Sequence, residues 1–384
     1  LRFSDIALTP NQRAAATALE GFAPADPVFA ALLTANATDA RRFYELGGGE
    51  AHAAASTVSQ RSFGLFADSL KPSRRASLNG IVEQRSAGTA VVTALDVGFD
   101  TPTVTQTGWV APLGVLGTLA SDGNGGAGNW TSGGLAAGYE IASETGTGHT
   151  VVGFGLGTIA SSATIDQRLS SIAGQGYYAG LYGQWREGPA WLDGQLAYGA
   201  NHIETSRGLE IGGLSRTATA DYWTQTLGAG LEARYEFELA HNLFVGPVAS
   251  LDVGWTGHGG ATETGAGTLN QTIAPSDQWK VDAGIGVAAR YDMPLDDGAN
   301  LSVVGKALWQ HSFVDGANAQ TVSLAGGGGP FVVSGASPGQ DRLRLVAGVE
   351  YQPSPDVILS LDYAATLGGS EMSHAARLAL RVKF

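Results

Sequence analysis

Histidine and acidic side chains are the residues of this chain that could do acid–base or metal chemistry, but their spacing selects none of them. The seven histidines stand apart at positions 52, 149, 202, 241, 258, 311 and 374. The chain has no His-x-x-x-His pair and no acidic calcium loop. GFGLGT (153–158) has the glycines of a phosphate loop but lies in a strand pattern with no helix after it. We predict no catalytic residue, no metal site and no cofactor.

Composition narrows the function further. The 384 residues carry 22 Lys and Arg against 35 Asp and Glu, which gives a net charge of −13. A nucleic-acid-binding domain usually carries a basic face, so we expect no nucleic-acid partner. Cysteine is absent, which excludes disulfides and thiol catalysis. No run of about 18 apolar residues occurs, so we predict no transmembrane helix, although a transmembrane barrel would show no such run.

The chain changes character near residue 107. Residues 1–106 are rich in alanine and predict helices, the first with Thr9 as its N-cap, Pro10 at its first position and Gly21 after its end. Two short helices follow in 26–49, and a longer one, narrow because of its Ala and Ser content, falls within 49–70. Residues 71–106 carry mixed signals, and we predict no element there.

From residue 108 onward, apolar and polar residues alternate with the period of two that strands require. Twelve segments show this pattern, and they are longer than the five or six residues typical of a sandwich strand. They are 108–120, 129–142, 149–160, 175–187, 190–203, 220–238, 242–256, 277–293, 299–313, 341–353, 356–367 and 373–384.

The apolar face of these strands carries aromatic side chains near its ends, where amphipathic rings would meet lipid headgroups. Trp223 is paired in this way with Tyr235 and Phe237, and Trp279 with Tyr291. The predicted aromatic girdle is Trp223, Tyr235, Phe237, Trp279, Tyr291, Tyr351 and Tyr363. A soluble sandwich also alternates, but long strands with aromatic ends favour strands that cross a bilayer.

The opposite face is rich in glycine and carries charges of both signs, as expected for a hydrated lumen. These candidates for pore lining and helix contact are Asp193, Glu232, Arg234, Glu236, Lys280, Asp282, Arg290, Asp292, Lys306, Arg342, Arg344, Asp362, Arg377 and Arg381. An Arg or Lys facing lipid at the midplane would cost about 2–4 kcal/mol, whereas a wet lumen leaves it ionised. Two interpretations stay open: a merely solvated wall, or a wall that grips a helix by salt bridges.

The connections alternate in length. Short turns lie at 186–189, 239–242, 296–298 and 353–355, and we predict long loops at 161–174, 206–220, 256–277 and 315–340. Outer-membrane barrels have short periplasmic turns and longer external loops. Because hydrocarbon offers no hydrogen-bond partner to a free strand edge, the last strand must pair with the first. The fold class is therefore all-β, a closed 12-stranded antiparallel transmembrane β-barrel over 107–384, preceded by an α-helical segment over 1–106.

Five segments, in this order, resemble the C-terminal translocator domain (β-domain) of classical type V autotransporters. They are LTPNQRAAATALEG (8–21), GGGEAHAAASTVSQRSF (47–63), GLYGQWREGPAWLDGQLAYGANHIETSR (180–207), GGGGPFVVSG (326–335) and LALRVKF (378–384). The resemblance implies a bacterial outer-membrane protein with one helix in its lumen, here within 49–70. It also implies export of an N-terminal passenger to the cell surface, with the lumen plugged afterwards.

The same resemblance implies the partners. These are outer-membrane lipids, the barrel-assembly machinery, periplasmic chaperones and the chain's own passenger, with the barrel itself a monomer and not an enzyme. The end of the chain resembles the signal that the assembly machinery reads, with Leu378, Leu380, Val382 and Phe384 on one face. Simple packing against lipid would account for the same four residues.

Two other functions remain open. A stand-alone porin or adhesin would use the same barrel, although it would not need the helical segment of about one hundred residues. A hydrolase active at the outer rim would need His with Asp or Ser at adjoining strand ends. Asp252, His258, Asp282 and His311 could be assigned to that role, but nothing in their spacing selects them.

Overall fold

A computed structural model of the protein describes residues 2–71, 103–145, 148–295, 298–314 and 318–384. Most of the stretch 71–106, for which no element was predicted, lies outside these residues. Four α-helices precede the strands: α1 (Pro10–Leu19), α2 (Pro27–Thr34), α3 (Ala37–Gly47) and α4 (Glu50–Ser69). Among the described residues, none of the helices is long and apolar enough to cross a membrane.

Local sequence explains where these helices begin. The Thr9 side chain accepts a hydrogen bond from the Gln12 backbone N–H, and Pro10 occupies the first turn, as predicted. Asp26 caps α2 in the same way. Between α3 and α4 the chain turns at Gly49, whose φ of +81° is a left-handed conformation that favours glycine.

Twelve long antiparallel strands form a closed barrel, which confirms the predicted fold class. They are β1 (Thr103–Leu119), β2 (Gly128–Thr145), β3 (Gly148–Ile165), β4 (Ser170–Glu187), β5 (Ala190–Ile211), β6 (Leu214–Tyr235), β8 (Leu243–His258), β11 (Ser276–Pro294), β12 (Asn300–Ser312), β15 (Asp341–Ser354), β16 (Val357–Gly368) and β17 (Glu371–Lys383). A short strand, β7 (Phe237–Ala240), continues β6.

The barrel closes between its first and last strands. β1 pairs with β17 in a register that runs from Thr107↔Lys383 to Leu119↔Glu371, and the Phe384 backbone N–H donates to the Gln106 carbonyl at 3.0 Å. Every other neighbouring pair along the chain is also antiparallel, so the barrel has no free edge. We call the end with the short connections and Phe384 the turn end, and the opposite end the loop end.

Two of the four long loops are instead strands. The region predicted as a loop at 161–174 is the extension of β3 and β4 around a turn at 166–169, and 206–220 is the extension of β5 and β6. Gly212 and Gly213 both have positive φ, the backbone of a two-residue hairpin turn, which lets the pairing run to the tip. The β5–β6 hairpin therefore projects beyond both neighbouring strands at the loop end, whereas β2 pairs with β3 up to Ile165.

The other two long loops, at 256–277 and 315–340, fold into a small sheet at the loop end. Its order is β14-β13-β10-β9, and its strands are Ala261–Thr262 (β9), Gln271–Ile273 (β10), Ala319–Leu324 (β13) and Gly327–Ser334 (β14). This sheet packs over the first half of α4, where Ala51 and Val58 share an apolar cluster with Ile273 and Val322.

Candidate functional site

The lumen is the candidate site, and helix α4 lies inside it. The inward faces of β1 to β6 contact the helix along its length. Its narrow face suits this position, because Ser59 and Ser62 meet the wall through hydroxyl contacts. The Ser59 hydroxyl lies 2.7 Å from that of Thr224, and the Ser62 hydroxyl lies 2.6 Å from that of Ser161. The helix is thus fitted to one side of the barrel by small polar side chains.

The bulky residues of α4 lie over wall glycines. A Cβ built on Gly157 would come within 2.7 Å of the Phe66 ring, and one built on Gly228 within 2.7 Å of the Phe63 ring. Phe66 also stacks on Tyr178, with 5.3 Å between the ring centroids. The glycines that the sequence places on the lumen face therefore make room for α4 rather than only widening the bore.

The C-terminal end of α4 is held by arginines of the wall. Arg344 lies 2.5 Å from the Asp68 carboxylate, and Arg377 donates to the carbonyls of Asp68 and Ser69 at 3.1 and 3.3 Å. Arg381 donates to the Lys71 carbonyl at 3.1 Å. The last carbonyls of a helix lack partners within the helix and carry its negative dipole end, so cations are favourable there.

The other predicted lumen charges compensate one another on the wall. Arg234 lies 3.1 Å from Asp193, Lys306 lies 2.6 Å from Glu232, and Arg342 lies 2.7 Å from Asp282. The further pairs are Arg234–Glu236, Arg290–Glu236, Arg290–Asp292, Lys280–Asp282, Arg377–Asp362 and Arg381–Glu140. All fourteen predicted residues thus take part in ion pairs, but only Arg344, Arg377 and Arg381 reach α4 or the residues just after it.

A cavity of about 300 Å³ remains on the other side of α4. Its wall carries Asp252, Lys280 and Gln310, and the helix contributes Gln60 and Gly64. The lumen is therefore occupied asymmetrically, with α4 packed against β1 to β6 and the cavity lying beside β8, β11, β12, β15 and β16. The charged side chains that line the cavity have both signs.

The N-terminal end of α4 is fixed by a buried cluster at the loop end, which sequence analysis did not identify. His52 Nε2 lies 2.8 Å from Glu263, and Arg207 Nη2 lies 2.5 Å from the other oxygen of the same carboxylate. Burial alone would raise the pKa of Glu263, but Arg207 and the hydrogen bond with His52 lower it to about 2. Burial lowers the pKa of His52 despite that carboxylate, so the neutral ring donates its N–H to Glu263.

A second ion pair joins the start of α4 to the turn between β3 and β4. Arg168 lies 2.6 Å from Glu45 and 3.1 Å from Glu50, and the Gly126 backbone N–H donates to Glu50 at 2.6 Å. The motifs GGGEAH and ETSR already contain Glu50, His52 and Arg207. Their partners Arg168 and Glu263 carry no sequence signal, because only the tertiary structure brings the outer connections together.

The predicted aromatic girdle faces outward. All seven residues are more than a third exposed. Tyr235, Phe237, Tyr291 and Tyr351 lie at or near the turn ends of their strands, whereas Trp223 and Trp279 lie closer to the loop end. Tyr363 sits near the middle of β16. A lipid-facing belt at both interfaces remains a prediction for these residues.

The four residues considered for a rim-active hydrolase do not form one site. His258 bonds to Gln320, and His311 lies 2.9 Å from Asp341. Asp282 pairs with Lys280 and Arg342, although Asp252 is its cross-strand neighbour. Across the described parts of the chain, no group of three His, Asp or Glu residues is placed to hold a metal ion.

Comparisons with known proteins agree with this geometry. The family model described as Autotransporter beta-domain matches residues 108–364. The translocator domain of autotransporter NalP from Neisseria meningitidis is 16% identical, with 83% of this chain and 99% of that chain covered and a TM-score of 0.56. The β-domain of the Bordetella autotransporter BrkA is 18% identical, with 73% and 100% covered and a TM-score of 0.55. At these identities both structures establish the fold alone, and a search of curated proteins finds no match.

Proposed function

Since the chain belongs to the autotransporter family, as an outer-membrane translocator domain with a closed barrel, we propose that it exports an N-terminal passenger to the cell surface and is then plugged by α4. The observation that carries the proposal is the position of α4 in the lumen. A porin would gain nothing from a helix that is held at its N-terminal end by the loop-end connections and at its C-terminal end by arginines of the wall. In a translocator such a helix is the part of the exported chain that stays behind.

The wall charges fit this role. Thirteen of the fourteen predicted lumen residues, all but Arg344, have an ion-pair partner within the wall, so the lumen is lined by compensated charges of both signs. A hydrated wall of this kind offers little fixed affinity to a passing chain, which suits the transport of varied sequences. The three arginines that reach the end of α4 supply the specific contacts by which the lumen retains this helix.

The further partners follow from family membership. We infer that the barrel is a monomer in the outer-membrane lipids, inserted by the barrel-assembly machinery after periplasmic chaperones have kept it unfolded. Leu378, Leu380 and Val382 face outward on β17 and Phe384 follows them, where the assembly machinery could read them. We assign no catalysis to the barrel, and any enzymatic activity would belong to the passenger.

Surface display of a reporter tests the export step. An epitope-tagged passenger fused before residue 1 is expected to become sensitive to protease added to intact cells. The same fusion to a chain ending before β17 cannot close its barrel and should leave the epitope protected. Liposome swelling by the full chain and by the chain without residues 2–71 tests the plug. Equal permeability of the two would contradict it.

A further inference from the structure

Residues 2–47 fold into a compact unit on the loop end of the barrel. We call residues 2–47 the cap. Its apolar core is not self-contained, because Leu19, Phe43 and Leu46 share one buried cluster with Leu209 and Leu269 of the outer strand extensions and connections. A cluster of this kind forms only when both halves are present.

Five different loop-end connections contact the cap. Asn11 binds two of them. Its side chain accepts from the Ser334 backbone N–H at 3.0 Å and donates to the Ser334 and Asn124 carbonyls at 2.8 and 3.4 Å, and its backbone N–H donates to the Asn124 side chain at 2.8 Å. The contact residues in the five connections are Asn124, Arg168, Gly212, Leu269 and Ser334. The native partners of the cap are therefore spread around the outer mouth of the barrel.

The cap and α4 are joined without slack. Arg207 donates to the Leu46 carbonyl at 3.0 Å, and Gln271 donates to the Gly47 carbonyl at 2.8 Å. The turn at Gly49 follows directly, and a Cβ there would come within 2.0 Å of the Gln271 side chain. Because no free linker separates the two, α4 can move along the lumen only if the cap dissociates from the loop-end connections.

The size of the cap sets the order of events. The single helix α4 already contacts the wall on one side and leaves about 300 Å³ beside it. Three packed helices are much wider than one, whose diameter with side chains is about 10–12 Å. The folded cap therefore cannot pass through the lumen, and the partners that the described residues offer it lie on the loop side.

We propose that the cap is a latch that folds only after residues 2–47 have left the barrel on the loop side, and that it then locks α4 in the lumen. The proposal rests on the proposed function, since it assumes outward export. It adds that the translocator carries its own device against backward movement, independent of the passenger. The arginines at the C-terminal end of α4 hold the helix but do not block backward movement more than outward movement.

The absence of cysteine makes a labelling test clean. Ser59→Cys places a reporter in α4, where Ser59 is fully buried against Thr224. Leu8→Cys places another on the exposed surface of the cap. In intact cells, each single-cysteine chain is treated with a membrane-impermeant maleimide coupled to polyethylene glycol. The latch is weakened by Leu19→Ala with Phe43→Ala, and the matched control is Leu33→Ala, which truncates an exposed leucine of the same cap.

Weakening the latch is expected to raise the labelling rate at position 59 by about tenfold or more, because truncation of buried apolar residues shifts a local opening equilibrium by at least that factor. Leu33→Ala should leave the rate unchanged. Should the double variant fail to yield a heat-modifiable barrel, Asn11→Ala decides, since it removes the side-chain hydrogen bonds to Ser334 and to the Asn124 carbonyl and keeps the backbone bond to Asn124. An unchanged rate at position 59, with position 8 still labelled from outside, would overturn the latch and leave export intact. Failure to label position 8 in the otherwise unaltered chain would instead refute export.

Discussion

Arg344 on strand β15 and Asp68 near the end of α4 form an ion pair of 2.5 Å that joins the wall to the plug. Arg342, two residues away and also facing inward, pairs instead with Asp282 on the wall. Two arginines that the sequence treats alike therefore differ in role. The distinction separates charges that hold α4 from charges that only stabilise the barrel.

Reversal of Arg344 should loosen α4. In Arg344→Glu, repulsion replaces the pair with Asp68, and we expect the open time of single channels in planar bilayers to rise by about fivefold, the effect of roughly 1 kcal/mol on a partly exposed pair. Arg342→Glu is the matched control, with little effect on channel opening. The double variant Asp68→Arg with Arg344→Glu restores an opposite-charge pair and should restore the closed state. A channel record that is the same in all three variants would contradict the role of this pair.

Enlarging a wall glycine should expel α4 only when the glycine lies on the side of the lumen that contacts the helix. Gly157→Leu cannot coexist with Phe66, whose ring lies 2.7 Å from the position of the new Cβ. We expect liposome swelling by this variant to approach that of the chain without residues 2–71. Gly254→Leu is the control, because it faces the cavity and its Cβ would meet nothing closer than 3.9 Å. Equal swelling by both variants would show that packing against β1 to β6 does not retain the helix.

Deletion of Phe384 should impair insertion of the barrel. The residue closes the seam through the bond from its N–H to Gln106, and its ring lies 6.1 Å from that of Tyr139. We expect less heat-modifiable protein in the outer-membrane fraction at equal synthesis. Phe313→Ala removes another exposed aromatic, at the loop end, and serves as the control. Normal insertion without Phe384 would indicate that Leu378, Leu380, Val382 and Phe384 only pack against lipid.

Mild acid should weaken the contacts that hold the cap and the start of α4 at the loop end. Burial lowers the pKa of His52 below its ordinary 6.5, with Arg207 and His258 adding repulsion to the charged ring. Below pH 6.5, His52 therefore binds a proton in the unfolded segment but stays neutral in the folded one. The free energy of unfolding that this difference contributes is fully present above pH 6.5. It falls as the pH drops toward the folded pKa, by up to about 1.4 kcal/mol per pH unit. Glu263, with a pKa of about 2, stays ionised over this window and contributes nothing to the change.

The measurement is the urea concentration at which the cap becomes sensitive to protease, compared at pH 7.5 and 5.5. The midpoint of the otherwise unaltered chain should fall at the lower pH. His52→Gln keeps a donor to Glu263 but cannot titrate, so its midpoint should move much less. His241→Gln, in an exposed turn, should behave like the chain with His52 intact. A pH effect that survives His52→Gln would assign it to other groups.

The alternation of residue types determined most of the barrel. Outward Leu and Val, inward Gly and charge, and short turns between them fix twelve strands, their faces and their order, because lipid outside and water inside impose opposite polarity on successive residues. The same local logic fixed the start of α1 at Thr9 and Pro10. It failed at 206–220, where Gly212 and Gly213 were interpreted as loop residues although two adjacent glycines also favour a hairpin turn.

Only the tertiary structure decided which charges meet α4 and that a cap exists. Arg342 and Arg344 have the same type and face, and their partners depend on the position of the helix across the lumen. Arg168 and Glu263 lie far apart along the chain and carry no motif, yet the closed barrel brings both to the start of α4. Alternation reports the solvent on each side of a strand, whereas a partner across the lumen depends on barrel closure, which no local pattern encodes.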